Sequence, residues 1–208
     1  MTDPIKTLPW QQALERMREG NARFVTNVRS VETITTQQKR YSLVAGQNPF
    51  AVILSCSDSR VPSELVFDCG LGDLFVVRVA GNVVAPSIVG SVEFAVESLG
   101  TTLVVVMGHT QCGAIKATVD SLAAGGHGLS TNLRDLVSRI SPAVANLLNT
   151  GLSRDELLIS AERANVRASV NQLRHSTRTF EDRIAAGTLA IIGAEYALET
   201  GQVDFFDL

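Results

Sequence analysis

Apolar residues fall along this chain in two rhythms. Short unbroken runs rich in β-branched residues occupy 51–55, 74–80, 102–108 and 188–194, and such runs read as strands buried on both faces. Between them the period changes to that of a helix. Ile88, Val89, Val92, Ala95, Val96 and Leu99 share one face of a segment that has Pro86 near its start and Gly100 just past its end, which are good helix boundaries. Trp10, Ala13, Leu14, Met17 and Phe24 stand at helical spacing among charged residues, so 9–27 predicts an amphipathic helical arm outside the sheet. Pro62-Ser63-Glu64 starts a short helix and 113–119 another, and a later helix is broken or bent at Pro142. Ser153-Arg154-Asp155-Glu156 reads as a capping box that opens a long helix towards Arg178 or beyond. Residues 202–206 read as an edge strand. The polar segment 29–40 reads as a loop or irregular arm, and 123–129 as a flexible loop. Strands alternating with helices predict a single α/β domain around a mainly parallel sheet, with one or two late strands antiparallel at its edge.

Composition narrows the function classes. A chain of 208 residues suits one domain with a substantial core. A net charge of −3 offers no basic footprint, so neither nucleic acid nor a membrane surface is expected as a partner. The first residues lack an apolar signal core and no apolar run is long enough to span a bilayer, so a cytoplasmic location is expected. Gly125-Gly126-His127-Gly128 lacks the strand-to-helix context of a dinucleotide or phosphate loop. His127 reads as a loop residue, with proton shuttling as its functional alternative, and His175 as a helix-surface residue.

The chemistry concentrates where two of the apolar runs end. Cys56-Ser57-Asp58-Ser59-Arg60 follows the first strand and His109-Thr110-Gln111-Cys112 the third, and open parallel sheets place their ligand sites at such carboxyl ends. Two Cys and one His suit Zn²⁺, and three firm ligands leave the open fourth position of a catalytic centre. Cys112 also opens the helix at 113–119, whose positive end favours a thiolate. Asp58 can reach either the metal or a molecule bound to it, and Arg60 decides between these: a bidentate pair turns the carboxylate away, and a broken pair lets Asp58 become the fourth ligand. Three Cys with two committed to metal leave Cys69 as a small residue near the turn at 70–73, which suits a reducing compartment.

Cys56, Asp58, Arg60, His109 and Cys112, in this order and context, resemble the β-class carbonic anhydrases, and so do Ser57-Asp58-Ser59-Arg60-Val61-Pro62, the run 72–78, Ala80-Gly81-Asn82 and Gly108-His109-x-x-Cys112-Gly113-Ala114. The resemblance runs from about Trp10 to the C-terminus. It implies a zinc enzyme for the reversible hydration of CO₂ to bicarbonate and a proton by attack of a zinc-bound hydroxide, with Cys56, His109 and Cys112 as ligands. Asp58, fixed by Arg60, orients the hydroxide and can close the site as a further metal ligand at low pH. By the same resemblance Phe75, Ala80 and Phe94 form an apolar wall for CO₂, and the backbone N–H of Gly113 holds a bicarbonate oxygen. Gln47 lines the pocket across a subunit interface. The 9–27 arm packs on a partner, which implies a homodimer or homotetramer. Phe94 stands where many plant-like members carry Tyr, so a hydroxyl contact is missing there. Ile53 occupies the place of a Trp that serves a second bicarbonate site in some bacterial members, so no such site is expected. Two other readings fit the same residues: a hydrolase of CS₂ or COS on this scaffold, and a structural or sensing zinc protein with Asp58 as a permanent ligand.

Overall fold

The computed structural model describes residues 8–33, 36–125 and 129–207. Five strands form one sheet: β1 (Ala51–Ser55), β2 (Leu74–Arg78), β3 (Leu103–His109), β4 (Ala190–Tyr196) and β5 (Val203–Phe206). Their order is β2-β1-β3-β4-β5, with every pair parallel except β4 and β5. The antiparallel edge expected from the sequence is therefore the last strand.

The unbroken apolar runs follow from burial on both sides. Ile53 of β1 and Val105 and Met107 of β3 point into one core, with Ala13, Leu14 and Met17 of α1 (Trp10–Val25) and Phe67 beside α3 (Ser63–Val66). Val52, Leu54, Val104 and Val106 point into the other, against α4 (Pro86–Ser98), α7 (Arg154–Arg174) and α8 (Arg178–Ala185). A third cluster lies beyond the carboxyl ends of the strands, where Ile115 and Val119 of α5 (Gly113–Ala123) meet Ile140 and Val144 of α6 (Thr131–Val144).

Three stretches differ from the sequence reading. Residues 29–40 contain a 3-10 turn, Val31–Thr33, and α2 (Gln37–Ser42), whose first turn is capped by the Thr36 side chain accepting the Lys39 N–H. This helix buries none of its residues, so it has no apolar period to betray it. The helix containing Pro142 is not broken there; it continues to Val144 and then tightens into a 3-10 turn, Ala145–Asn149. The helix opened by the Ser153 capping box stops at Arg174, because Thr177 caps a separate helix by accepting the N–H of Phe180. His127 lies outside the described residues, and exposed His175 ends α7 with Nδ1 3.1 Å from Glu181. Buried Cys69 donates its thiol to the Phe67 carbonyl, and burial pushes its pKa up to about 12, as befits a packed and unreactive thiol.

Candidate metal centre

The strand order reverses between β1 and β3: the chain moves outward from β1 to β2 and then returns across β1 to build the other half of the sheet. That switch point is where an open parallel sheet leaves a crevice. Cys56 follows the last residue of β1, His109 is the last of β3, and Cys112 is the N-cap of α5. The three side chains are buried, and their ligand atoms lie within 4.8 Å of one another.

The donor set fits a zinc ion. His109 Nδ1 is 2.9 Å from the Thr110 carbonyl, which fixes the ring and leaves Nε2 facing the sulfurs. Nε2 is buried without a hydrogen-bond partner, a costly arrangement unless the atom has a ligand to bind. Beside the Cys112 thiol, the pKa of Cys56 falls to about 4, whereas that of Cys112 rises. The Gly81 N–H adds a bond to Cys56 Sγ at 3.4 Å.

Asp58 stands beside this cluster, with Oδ2 3.9 Å from His109 Nε2, and is turned towards Arg60. Arg60 Nε and Nη2 donate to the two carboxylate oxygens at 2.9 and 2.7 Å, and the Arg60 backbone N–H adds a third bond at 2.9 Å. The Arg60 guanidinium holds the Asp58 carboxyl well below the usual carboxylate range. Arg78, at the end of β2, clamps the same loop by donating to the carbonyls of Cys56 and Asp58 at 3.1 and 2.7 Å.

The family follows from these residues in this fold. The chain matches the family model described as carbonic anhydrase over residues 51–203. This protein belongs to the β-class carbonic anhydrases. It is 42% identical to the carbonic anhydrase of Mycolicibacterium smegmatis, across 92% of this chain and 91% of that protein. It is also 42% identical to carbonic anhydrase 2 of Mycobacterium tuberculosis, across 91% and 89%. Among solved structures, the β-carbonic anhydrase CcaA superposes with a TM-score of 0.74 at 25% identity, covering 95% of this chain and 93% of that one.

The remaining expected site residues of this carbonic anhydrase fall in different places. Ala80 sits in the 3-10 turn Ala80–Asn82, next to the Gly81 that donates to Cys56. Phe75 and Phe94 stack in a tilted pair with centroids 6.2 Å apart, and Phe94 is half exposed. Gly113 is the exposed first residue of α5. Gln47 is exposed and precedes β1, at the opposite end of that strand from Cys56, so its own chain does not bring it to the sulfurs. Glu162, Asn165 and Ser169 of α7, which hydrogen-bond to the ligand turns, escaped the sequence reading. Their spacing of three and four along a helix is the signal that could have found them.

Proposed function

We propose that this protein catalyses the reversible hydration of CO₂ to bicarbonate and a proton, with Zn²⁺ held by Cys56, His109 and Cys112. The observation that carries this reading is the buried, partnerless His109 Nε2 facing two sulfurs beside a carboxylate already locked to an arginine. Zinc, when bound, supplies a Lewis acid and a water acidified enough to act as the nucleophile near neutral pH.

The protein's own groups do the rest. Asp58 stays ionised because Arg60 holds it so, and an ionised carboxylate can only accept a hydrogen bond. It would therefore accept a hydrogen bond from the nucleophile and so orient a lone pair towards the CO₂ carbon. Phe75, Ala80 and Phe94 supply an apolar wall for a substrate that has no proton to donate. The backbone N–H of Gly113, in the first turn of α5, is one that a helix leaves without an internal partner, and it donates to a bicarbonate oxygen. Gln47 reaches the pocket of a second copy, so the working unit is a homodimer or an assembly of dimers, with the α1 arm at the interface. Among the described residues no helix is long and apolar enough to cross a membrane, and we assign the enzyme to the cytoplasm. The bidentate Asp58–Arg60 pair favours an open centre over a closed structural one.

The test is stopped-flow CO₂ hydration on protein of measured zinc content, beside Asp58→Ala. Wild type should be strongly active, and the variant should retain zinc with kcat lower by about 10²–10⁴-fold. Zinc-loaded wild type without activity would overturn the reading.

A further inference from the structure

Two turns carry the sulfur ligands, and one helix holds both. Glu162, Asn165 and Ser169 stand on a single stripe of α7, and their exposures are 4%, 2% and 5%. Glu162 Oε1 accepts the Cys112 N–H at 2.9 Å. Asn165 Nδ2 donates to the Gly81 carbonyl at 2.8 Å, and Ser169 Oγ donates to the Asn82 carbonyl at 3.1 Å. Gly81 in turn donates its N–H to Cys56 Sγ. One end of the stripe thus leads to each sulfur.

Neither turn would hold this shape unaided. Gln111 and Asn82 have φ of +57° and +43°, a left-handed backbone that costs a non-glycine residue about 1–2 kcal/mol. Thr110, Gln111 and Cys112 also line a cavity of about 670 Å³, where Glu199 accepts bonds from Thr110 Oγ1 and Gln111 Nε2 at 3.0 and 2.8 Å. On that side the turn is tied by its side chains, and the Cys112 N–H is left to Glu162. What brings α7 within reach is a missing side chain: a Cβ on Gly108 would lie 2.6 Å from Cγ2 of Val166.

Glu162 is the unusual member. Burial pushes its carboxyl up and the neighbouring Glu195 carboxylate adds to that push; the N–H groups of Cys112 and Gln111 and the His109 ring oppose it, and among the described residues no arginine or lysine pairs with it. A buried carboxylate without a cation weakens a fold relative to an apolar side chain. Stability alone would not select it.

We propose that this stripe is the positioning device of the metal centre, and that Glu162 sets Cys112 for the ion by accepting its backbone N–H. The proposal rests on reading Cys56, His109 and Cys112 as a zinc centre, so its test reads metal affinity and not turnover. Zinc affinity is measured by competition with a chromophoric chelator, and the thiolate-to-metal absorption band is recorded on the Co²⁺-substituted protein, for wild type, Glu162→Gln and Glu162→Asp. Gln keeps an acceptor oxygen at the same reach. Asp keeps the charge but withdraws the oxygen by one methylene.

Glu162→Gln should therefore bind zinc within about threefold of wild type with an unchanged cobalt band, and Glu162→Asp should lose about 10–100-fold with a displaced band. The reverse order, or equal loss in both variants, would overturn the proposal, because charge or bulk would then be what Glu162 supplies. Wild type that fails to bind zinc at all would remove the metal reading beneath it.

Discussion

Two buried carboxylates, one on each side of the sheet, show opposite solutions to the same electrostatic problem. Asp68, whose side chain is fully buried, faces cations: Arg23 Nε is 2.6 Å and Arg29 Nε 3.0 Å away, and the Ser30 N–H adds a bond at 2.9 Å. Burial alone would raise its pKa, but these partners outweigh burial and lower it. Glu162 has backbone N–H groups where Asp68 has guanidinium groups, and its pKa is raised. Asp68 ties the segment after α1 to the turn behind α3 and so serves the fold. Glu162 burdens the fold and serves a sulfur ligand. How a buried charge is satisfied therefore tells which of the two it supports.

Substitution at Asp68 gives the largest test of that contrast. Asp68→Ala should lower unfolding stability by about 2 kcal/mol in urea, since it removes hydrogen bonds to charged groups and leaves arginines that can partly reach water. Zinc affinity should be unchanged. Loss of zinc in this variant would erase the distinction between the two carboxylates.

The acid limb sharpens it. Because the Asp68 pKa is lower in the folded than in the unfolded chain, its contribution is fully present above the ordinary carboxylate pKa and is lost as pH falls through the folded value. The stability gap between wild type and Asp68→Asn should stay constant near neutrality and shrink in acid, as followed by urea midpoints across pH. Smallest is Ser153→Ala. Loss of the capping box, in which Ser153 and Glu156 exchange bonds, should cost about 1 kcal/mol and leave zinc affinity alone, because Glu162 sits two turns further along α7. A parallel loss of zinc would mean that the whole helix, and not its polar stripe, governs the centre.

That Cys56 and His109 come together was legible in the sequence because soft donors directly follow apolar runs, and only the carboxyl ends of neighbouring parallel strands can bring the two into one cluster. The capping box at Ser153 was legible for a similar reason, since both of its partners are local. The stripe on α7 was not. Glu162, Asn165 and Ser169 look like a solvated face until the helix is seen to press that face onto the turns beyond β1 and β3. Nor was α2 visible, because a helix without a buried side has no period to read. Gln47 stays far from Cys56 in its own chain, and any contribution it makes to a pocket depends on an assembly that a single chain does not contain.

The pairing of β1 with β3 has one more consequence. Cys56 and His109 are separated by a long stretch of chain, and what brings them together is a register in which Ser55 lies opposite Met107. A slip of one residue would carry Cys56 about 3.3 Å along the strand and turn it to the other face. The ligand atoms, within 4.8 Å of one another, could not survive that shift. Metal retention is therefore a gauge of strand alignment. With zinc bound as proposed, a variant altered anywhere in the sheet can be scored for correct threading by whether it still takes up the ion.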